Sequence, residues 1–269
     1  MSKIMRKLGW GAAVGAVALG FVAAQPPKAS PLATKPLPAV EPAQLPDQVK
    51  AIDPLGAMLS DAKTAYGKLR DYTCVFTRQE RMGGVLGAEQ VAEMKVRTKP
   101  HSVAVRFAKP DAVAGMEERY VSGTRTGKMK YRPAGAKGVN GFQLVSLDDP
   151  KVLAENRHSI TEVGVGATID LLTSIATREK SLGNGLEVFA SDFQFAGKTT
   201  TRYEILARRA HAHRYAYRML VYVDKETKLI VRFEAYDAPK AGTIAGELLE
   251  AYSYTDQKFN VGLGDSTFE

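Results

Sequence analysis

The sequence predicts one α+β domain in which helices cover one face of a long antiparallel sheet. Three observations predict this class. Apolar residues recur at helical spacing at residues 53–70 and again between residues 149 and 180, and many short segments elsewhere alternate apolar with polar side chains. The chain has 269 residues and 45% hydrophobic content, which is enough to bury a sizeable core.

The extreme N-terminus is predicted to lie outside that domain. Residues 1–24 combine three basic residues with an apolar run from Leu8 to Ala24 and small residues before a cleavage point after Ala24. This is the pattern of a signal peptide, so we expect an exported protein of the periplasm or cell envelope. The run is roughly 17 residues long, near the minimum for crossing a bilayer, so an uncleaved N-terminal anchor is the alternative.

A Pro/Ala-rich tether is predicted for residues 25–50, which contain seven of the chain's thirteen prolines. Such a composition favours an extended linker over a packed unit. The globular domain is therefore expected at residues 51–269.

Charge and cysteine content limit the classes of protein. The formal charge is +8, and three of the positive charges lie in the predicted signal peptide. A positive net charge this small is compatible with binding to an anionic surface and equally compatible with having no charged partner. Cys74 is the single cysteine, so no internal disulfide can form, and its apolar and aromatic neighbours favour a buried strand thiol over a reactive one.

The first half of the domain is predicted to be one helix followed by a meander. Asp53 and Pro54 form a helix start, and apolar residues continue at helical spacing through Arg70. Five short strands should follow, separated by glycine or proline turns. They are "DYTCVFTRQER", "EQVAEMKVRTKP", "HSVAVRFA", "ERYVSG" and "GKMKYRP".

The second half is predicted to begin with helices and return to strands. Asp148 and Asp149 should cap a helix opened by Pro150, and a second helix should carry Ile169 and Leu172 on its apolar face. Four further strands are expected. They are "TRYEILAR", "RYAYRMLVYVD", "LIVRFEAYD" and "GELLEAYSYTD".

None of the candidate motifs for cofactor, metal or nucleic-acid binding is supported by the residues around it. "SGTRTGKM" resembles a phosphate-binding loop, but its glycine spacing is wrong and no helix is predicted after it, so it is interpreted as a hairpin turn. In "RRAHAHRYAYRM", His211 and His213 have no further metal ligands nearby and are expected to face solvent. The arginines there are interpreted as the solvated face of a strand. We predict no cofactor, no metal and no nucleic-acid partner.

Hydrolytic catalysis would need a nucleophile, a base and an orienting acid in one cleft. The sequence contains no nucleophile-elbow or zinc-protease motif, so we predict a non-enzymatic protein. A polar cluster with strongly perturbed pKa values at a cavity mouth would count in favour of an enzyme.

The order of several local patterns resembles the LolA-like superfamily of periplasmic lipoprotein carriers and lipid-binding half-barrels. An amphipathic helix leads into "YTCVFTRQ", a strand ends at Lys99-Pro100, and "YVSGTRTGKMKY" and "VYVDKETKLIVRFEAYDAP" follow. The resemblance is closer to an exported family of unknown function, number 1571, over residues 52–268. The patterns that carry it are "YTC", "RTKPHSVAVRF", "NRHSITEVG" and "YSYTDQKFNVGLGDSTF".

This resemblance implies an incomplete antiparallel β-barrel, a half-barrel, whose concave face is covered by helices and whose cavity holds acyl chains or other lipidic groups. Arg97 and Lys99 are then expected at the rim, against a headgroup, although the carriers have arginine at the position of Lys99. The predicted cavity lining consists of the apolar faces of alternating strands. Its residues are Met94, Val96, Val103, Val105, Phe107, Tyr217, Met219, Val221, Val231 and Phe233.

Two functions remain open from the sequence. The first is an exported carrier or sensor that holds a lipid, an acyl chain or another apolar ligand, with a lipid or lipidated protein as partner and peripheral contact with a membrane. The second is a structural or protein-interaction module of the cell envelope without a transported ligand.

Overall fold

The computed structural model describes residues 53–183, 185–207 and 214–269. The predicted signal peptide and tether lie outside these residues, as do His211 and His213. The elements in chain order are α1 Pro54–Tyr66, β1 Asp71–Met82, β2 Val85–Leu86, β3 Gln90–Arg97, β4 Ser102–Lys109, β5 Glu117–Val121, β6 Lys128–Arg132, β7 Gln143–Ser146, α2 Pro150–Glu155, α3 Val165–Ser181, β8 Glu187–Phe195, β9 Lys198–Leu206, β10 Arg218–Asp224, β11 Ile230–Tyr236 and β12 Leu248–Phe259.

The sheet consists of two antiparallel meanders that share one seam. Its order is β7-β6-β5-β4-β3-β1-β12-β11-β10-β9-β8, and the short β2 pairs with β1. The seam is the antiparallel pair of β1 with β12, the two longest strands. The edge strands β7 and β8 do not pair with each other, so the sheet is an open half-barrel, which confirms the predicted fold class.

The first meander has two more strands than the five predicted, β2 and β7, and the second has one more than the four predicted, β8. β2 lies in the predicted glycine turn, and β7 and β8 were not predicted at all. Both β7 and β8 are edge strands that contain exposed and half-buried residues and no fully buried one. Without one buried face, a strand shows no alternation of apolar and polar residues for the sequence to reveal.

Helix α1 begins where the sequence predicts and ends four residues early. The Asp53 carboxylate accepts the Gly56 backbone N–H at 2.9 Å, and Pro54 occupies the first turn. The helix ends at Tyr66, and the backbone N–H of the following Gly67 donates to the Lys63 carbonyl oxygen at 2.9 Å. Its buried side is apolar, as the helical spacing predicts, and consists of Leu55, Met58, Leu59 and Ala62.

The predicted helices between the two meanders are also confirmed. Asp149 caps α2, because its carboxylate accepts the Lys151 backbone N–H at 2.8 Å. Helix α3 buries Ile169, Leu172 and Ile175 as expected. Among the described residues, none of the helices has the length and apolar character needed to cross a bilayer.

Helix α3 is fixed against β1 and α1 at its first turn. The Tyr72 hydroxyl of β1 accepts the Val165 backbone N–H at 2.9 Å. Gly164, which precedes the helix, has φ of 110°, a conformation that favours glycine. A Cβ atom at Gly166 would lie 2.5 Å from the Tyr66 ring, so glycine allows the two helices to approach. This contact sets how closely α3 packs against α1.

The main hydrophobic core lies between the helices and the concave face of the sheet. It joins the buried sides of α1 and α3 to inward-facing residues of both meanders. A second, small cluster lies on the opposite face and consists of Leu220, Tyr222 and Val231. The core is therefore largely filled, and any space for a ligand must lie at its margin.

Candidate functional site

A cavity of about 500 Å³ lies at the margin of the main core, between α3 and the sheet. Strands β1, β11 and β12 form its floor, and α3 with the preceding residues 158–163 forms its cover. This volume falls within the roughly 300–1,000 Å³ typical of small-molecule sites. The cover contributes His158, Thr161, Glu162, Val163, Ala167, Thr168, Asp170, Leu171 and Ser174.

The floor of the cavity is aromatic. Phe76 stacks on Tyr254 with ring centres 5.6 Å apart and on Tyr252 at 6.1 Å, and Tyr252 stacks on Phe233 at 6.5 Å. The sheet register produces this row, because Phe76 lies opposite Tyr254 and Phe233 lies opposite Tyr252 on neighbouring strands. The cavity thus has a continuous aromatic surface suited to an apolar ligand.

A fully buried carboxylate, Glu250, lies beside the cavity at the centre of a polar cluster. Its Oε2 is 2.7 Å from Arg157 Nε and 2.9 Å from His158 Nε2. Tyr215 donates its hydroxyl to Oε1, and the Tyr252 hydroxyl lies 3.3 Å from Oε2. Two cationic groups and two hydroxyls therefore compensate the desolvation of one buried charge.

A second carboxylate, Glu80 of β1, extends the same cluster. It accepts the Tyr252 hydroxyl with one oxygen and the Arg157 backbone N–H with the other, at 3.1 Å. His158 belongs to the cover and Arg157 directly precedes it, whereas Glu80, Glu250 and Tyr252 belong to the sheet. The cluster therefore ties the cover to the sheet beside the cavity. We call Glu80, Arg157, His158, Tyr215, Glu250 and Tyr252 the buried polar cluster.

The pKa values in this cluster favour the ion pair. For His158, burial lowers the pKa, but the hydrogen bond and charge of Glu250 outweigh burial, and the net pKa is above 6.5. For Glu250, burial raises the pKa, but the hydrogen bond and charge of His158, with Tyr215 and Arg157, bring it below 4.5. Burial, with the charge of Glu250 next, raises the pKa of both Tyr215 and Tyr252, so both hydroxyls stay protonated as donors.

The two pKa shifts determine how the stability of the fold depends on pH. The stabilisation from His158 is complete below pH 6.5 and is lost as the pH rises through its raised pKa. The stabilisation from Glu250 is complete above pH 4.5 and is lost as the pH falls through its lowered pKa. The pair therefore contributes most to folding between pH 4.5 and 6.5.

Eight of the ten predicted lining residues are in the main core, and one of these, Phe233, lines the cavity itself. The other seven are buried by protein side chains on the same face, so their contact with a ligand stays a prediction. These seven are Met94, Val96, Val103, Val105, Phe107, Met219 and Val221.

Val231 and Tyr217 lie elsewhere than predicted. Val231 packs on the opposite face of the sheet, because the register between β10 and β11 shifts beside it and the inserted residue turns outward. Tyr217 precedes β10, is half-buried and belongs to neither hydrophobic cluster. Tyr215 packs against the main core in its place and lines the cavity.

Arg97 and Lys99 do not line the cavity. Arg97 forms an ion pair with Asp265, hydrogen-bonds Ser102 and lies over the Phe268 ring at 5.1 Å. In the register of β1 with β3, Arg97 lies opposite Asp71, the first residue of β1. Glu80, which lines the cavity, is near the other end of β1. Lys99 is exposed in the turn after β3. Both residues therefore lie away from the cavity, and their contact with a headgroup stays a prediction.

The buried polar cluster was not predicted from the sequence. One signal was present: in "LLEAYSYTD", Glu250 alternates with Tyr252 and Tyr254 and therefore shares their inward face. A glutamate on the apolar face of a strand requires a buried partner. Cys74, by contrast, is buried as predicted, and burial raises the pKa of its thiol, which makes it unreactive.

The fold and the cavity define a class of protein: an open antiparallel half-barrel with a ligand-sized cavity beneath its helical cover. The chain belongs to the family described as Protein of unknown function (DUF1571), which matches residues 69–269. No protein of curated function matches the sequence.

Several solved structures resemble the chain. MucB in complex with MucA is 13% identical, with a TM-score of 0.47, over 80% of this chain and 59% of that one. The lipoprotein LppX of Mycobacterium tuberculosis is 13% identical, with a TM-score of 0.44, over 80% and 99%. A LolA superfamily protein of Nitrosomonas europaea is 11% identical, with a TM-score of 0.31, over 80% and 97%. At these TM-scores, no inference about ligand or partner rests on the likeness.

Proposed function

We propose that this protein is an exported, non-enzymatic carrier or sensor that holds one amphiphile, such as a lipid or acyl chain, in the cavity beneath α3. The observation that carries the proposal is the cavity of about 500 Å³ with its aromatic floor. Apolar ligand area leaves water on such a floor, which favours binding by about 25 cal/mol per Å². The polar residues of the cover would hold the head of the ligand.

The buried polar cluster supports a structural role over a catalytic one. A general acid or base needs a free position beside the reacting atom and a pKa close to the working pH. Glu250 instead has all its neighbours inside the protein, and the pKa shifts of His158 and Glu250 both strengthen their mutual pair. The cluster therefore acts as a tie between cover and sheet, which keeps the cavity formed.

The proposed location is outside the cytoplasm, in the periplasm or cell envelope, and it rests on the signal-peptide pattern of residues 1–24. The tether of residues 25–50 would separate the half-barrel from an uncleaved anchor if one is retained. The partner in this proposal is a lipid or a lipidated protein, with peripheral contact with a membrane.

A cavity-filling substitution tests the proposal. Ala167 lines the cavity from the cover side, so Ala167→Trp should occupy the ligand's space. Thr177→Trp on the exposed side of the same helix is the matched control. Titration with the neutral fluorophore N-phenylnaphthylamine should show saturable binding to the wild type and to Thr177→Trp, and loss of at least about tenfold in affinity for Ala167→Trp.

The alternative, an envelope structural or protein-interaction module, predicts the opposite pattern. The fluorophore would then fail to bind the wild type, or Ala167→Trp and Thr177→Trp would bind it equally. Capture of a defined protein partner that is unaffected by Ala167→Trp would complete the case for that alternative.

A further inference from the structure

We propose that the cavity prefers an amphiphile with a cationic, ammonium-type head over one with an anionic head. The inference rests on the proposed function and specifies its ligand class. It starts from the charged side chains of the lining, which are three carboxylates and two basic groups. The carboxylates belong to Glu80, Glu162 and Asp170, and the basic groups to Arg78 and His158.

Neither basic group is free to bind an anion. Arg78 is 9% exposed and donates to Gln90 at 2.7 Å and to Asn156 at 2.9 Å, with its guanidinium 4.9 Å from the centre of the Phe107 ring. His158 is held by Glu250 at 2.9 Å. An anionic head at His158 would have to compete with Glu250, a buried carboxylate already within 2.9 Å of the ring.

Two of the three carboxylates retain charge for a ligand. Glu80 is engaged by the Tyr252 hydroxyl and the Arg157 backbone. The Glu162 side chain is 61% exposed, and its Oε2 accepts the Ser159 backbone N–H at 3.3 Å and lies 3.5 Å from His158 Nδ1, whose charge is shared with Glu250. Asp170 is exposed on α3 and forms no ion pair with any residue that the structure describes. The lining therefore has three carboxylates against two basic groups, and Asp170 is the carboxylate of the cover without an ion pair among the described residues.

The floor adds apolar surface for the rest of such a ligand. Tyr252, Tyr254, Phe76 and Phe233 line it opposite the cover, so an alkyl tail and the methyl groups of an ammonium head can pack against these rings. An aromatic floor on one side and carboxylates on the other suit an ammonium head with an alkyl tail. The whole chain carries +8, so its long-range field favours anions, and a preference for cations must come from the cavity itself.

Three dodecyl amphiphiles that differ in the head test this preference. Dodecyltrimethylammonium, dodecyl sulfate and a neutral dodecyl oligoethylene glycol ether would each displace N-phenylnaphthylamine from the full chain, below their micelle concentrations. We expect the ammonium compound to bind about tenfold more tightly than the sulfate, with the neutral ether between them. Glu162→Gln combined with Asp170→Asn should abolish most of that difference.

The control carries the same change in net charge outside the cavity. Asp61 lies exposed on α1 and Glu89 lies exposed before β3, so Asp61→Asn combined with Glu89→Gln should keep the wild-type preference. Equal affinities, tighter binding of the sulfate, or an unchanged preference in the Glu162/Asp170 variant would overturn the inference and leave amphiphile binding intact. Failure of all three compounds and of the fluorophore to bind would instead overturn the proposed function.

Discussion

Glu250→Gln tests the role of the buried polar cluster most sharply, because it removes one charge and changes the side-chain volume little. The variant leaves Arg157 and His158 without their shared counter-charge. Removal of one partner of a buried ion pair typically costs about 3–5 kcal/mol. The side chains of Arg157 and His158 remain 27% and 16% exposed, so water can solvate part of their charge. We therefore expect the lower end, a loss of about 3 kcal/mol in the free energy of unfolding.

Urea denaturation followed by far-ultraviolet circular dichroism measures this loss at a pH between 4.5 and 6.5, where the pair contributes most. Glu89→Gln, an exposed glutamate, is the control and should change stability by no more than about 0.5 kcal/mol. Adding His158→Gln to Glu250→Gln completes a double-mutant cycle, in which contacting residues should couple by about 1–3 kcal/mol. A loss below about 1 kcal/mol with no measurable coupling would refute the reasoning that the cluster ties the cover to the sheet.

Four further outcomes follow from the geometry. Wild-type stability should fall as the pH rises above 6.5 through the raised pKa of His158, and His158→Gln should flatten that decline in urea titrations across pH. Phe233→Ala should weaken fluorophore binding and cost about 3–5 kcal/mol of stability, because the ring is both cavity floor and core. Val231→Ala should cost about 2 kcal/mol and leave binding unchanged, since Val231 lies on the opposite face; reduced affinity would contradict its placement. Arg97→Gln should likewise leave fluorophore affinity at the wild-type value.

The sequence predicts those elements that have one buried face. Helix α3 and strands β3 and β4 alternate their side chains between core and solvent at the period of the element, so the pattern alone locates them. Edge strands β7 and β8 have no such pattern because neither contains a fully buried residue. Val231 shows a further limit of periodicity, since one inserted residue reverses the face that the alternation assigns.

The candidate site was less predictable because it depends on long-range pairing. His158 lies 92 positions before Glu250 in the chain, and only the packing of the cover on the sheet brings their side chains together. Alternation identifies which residues face inward, but it does not reveal where the core leaves space. Phe233 was therefore predicted to line the cavity together with seven residues that other side chains bury in the core.

Native mass spectrometry tests the central claim, that the cavity beneath α3 holds one amphiphile, most directly. The protein would be purified from its expression host without detergent, beside Ala167→Trp and the control Thr177→Trp. We expect one additional small-molecule mass per chain in the wild type and in Thr177→Trp, and its loss in Ala167→Trp. A bare wild-type chain that also takes up none of the three dodecyl amphiphiles, or a retained mass that Ala167→Trp leaves in place, would contradict it.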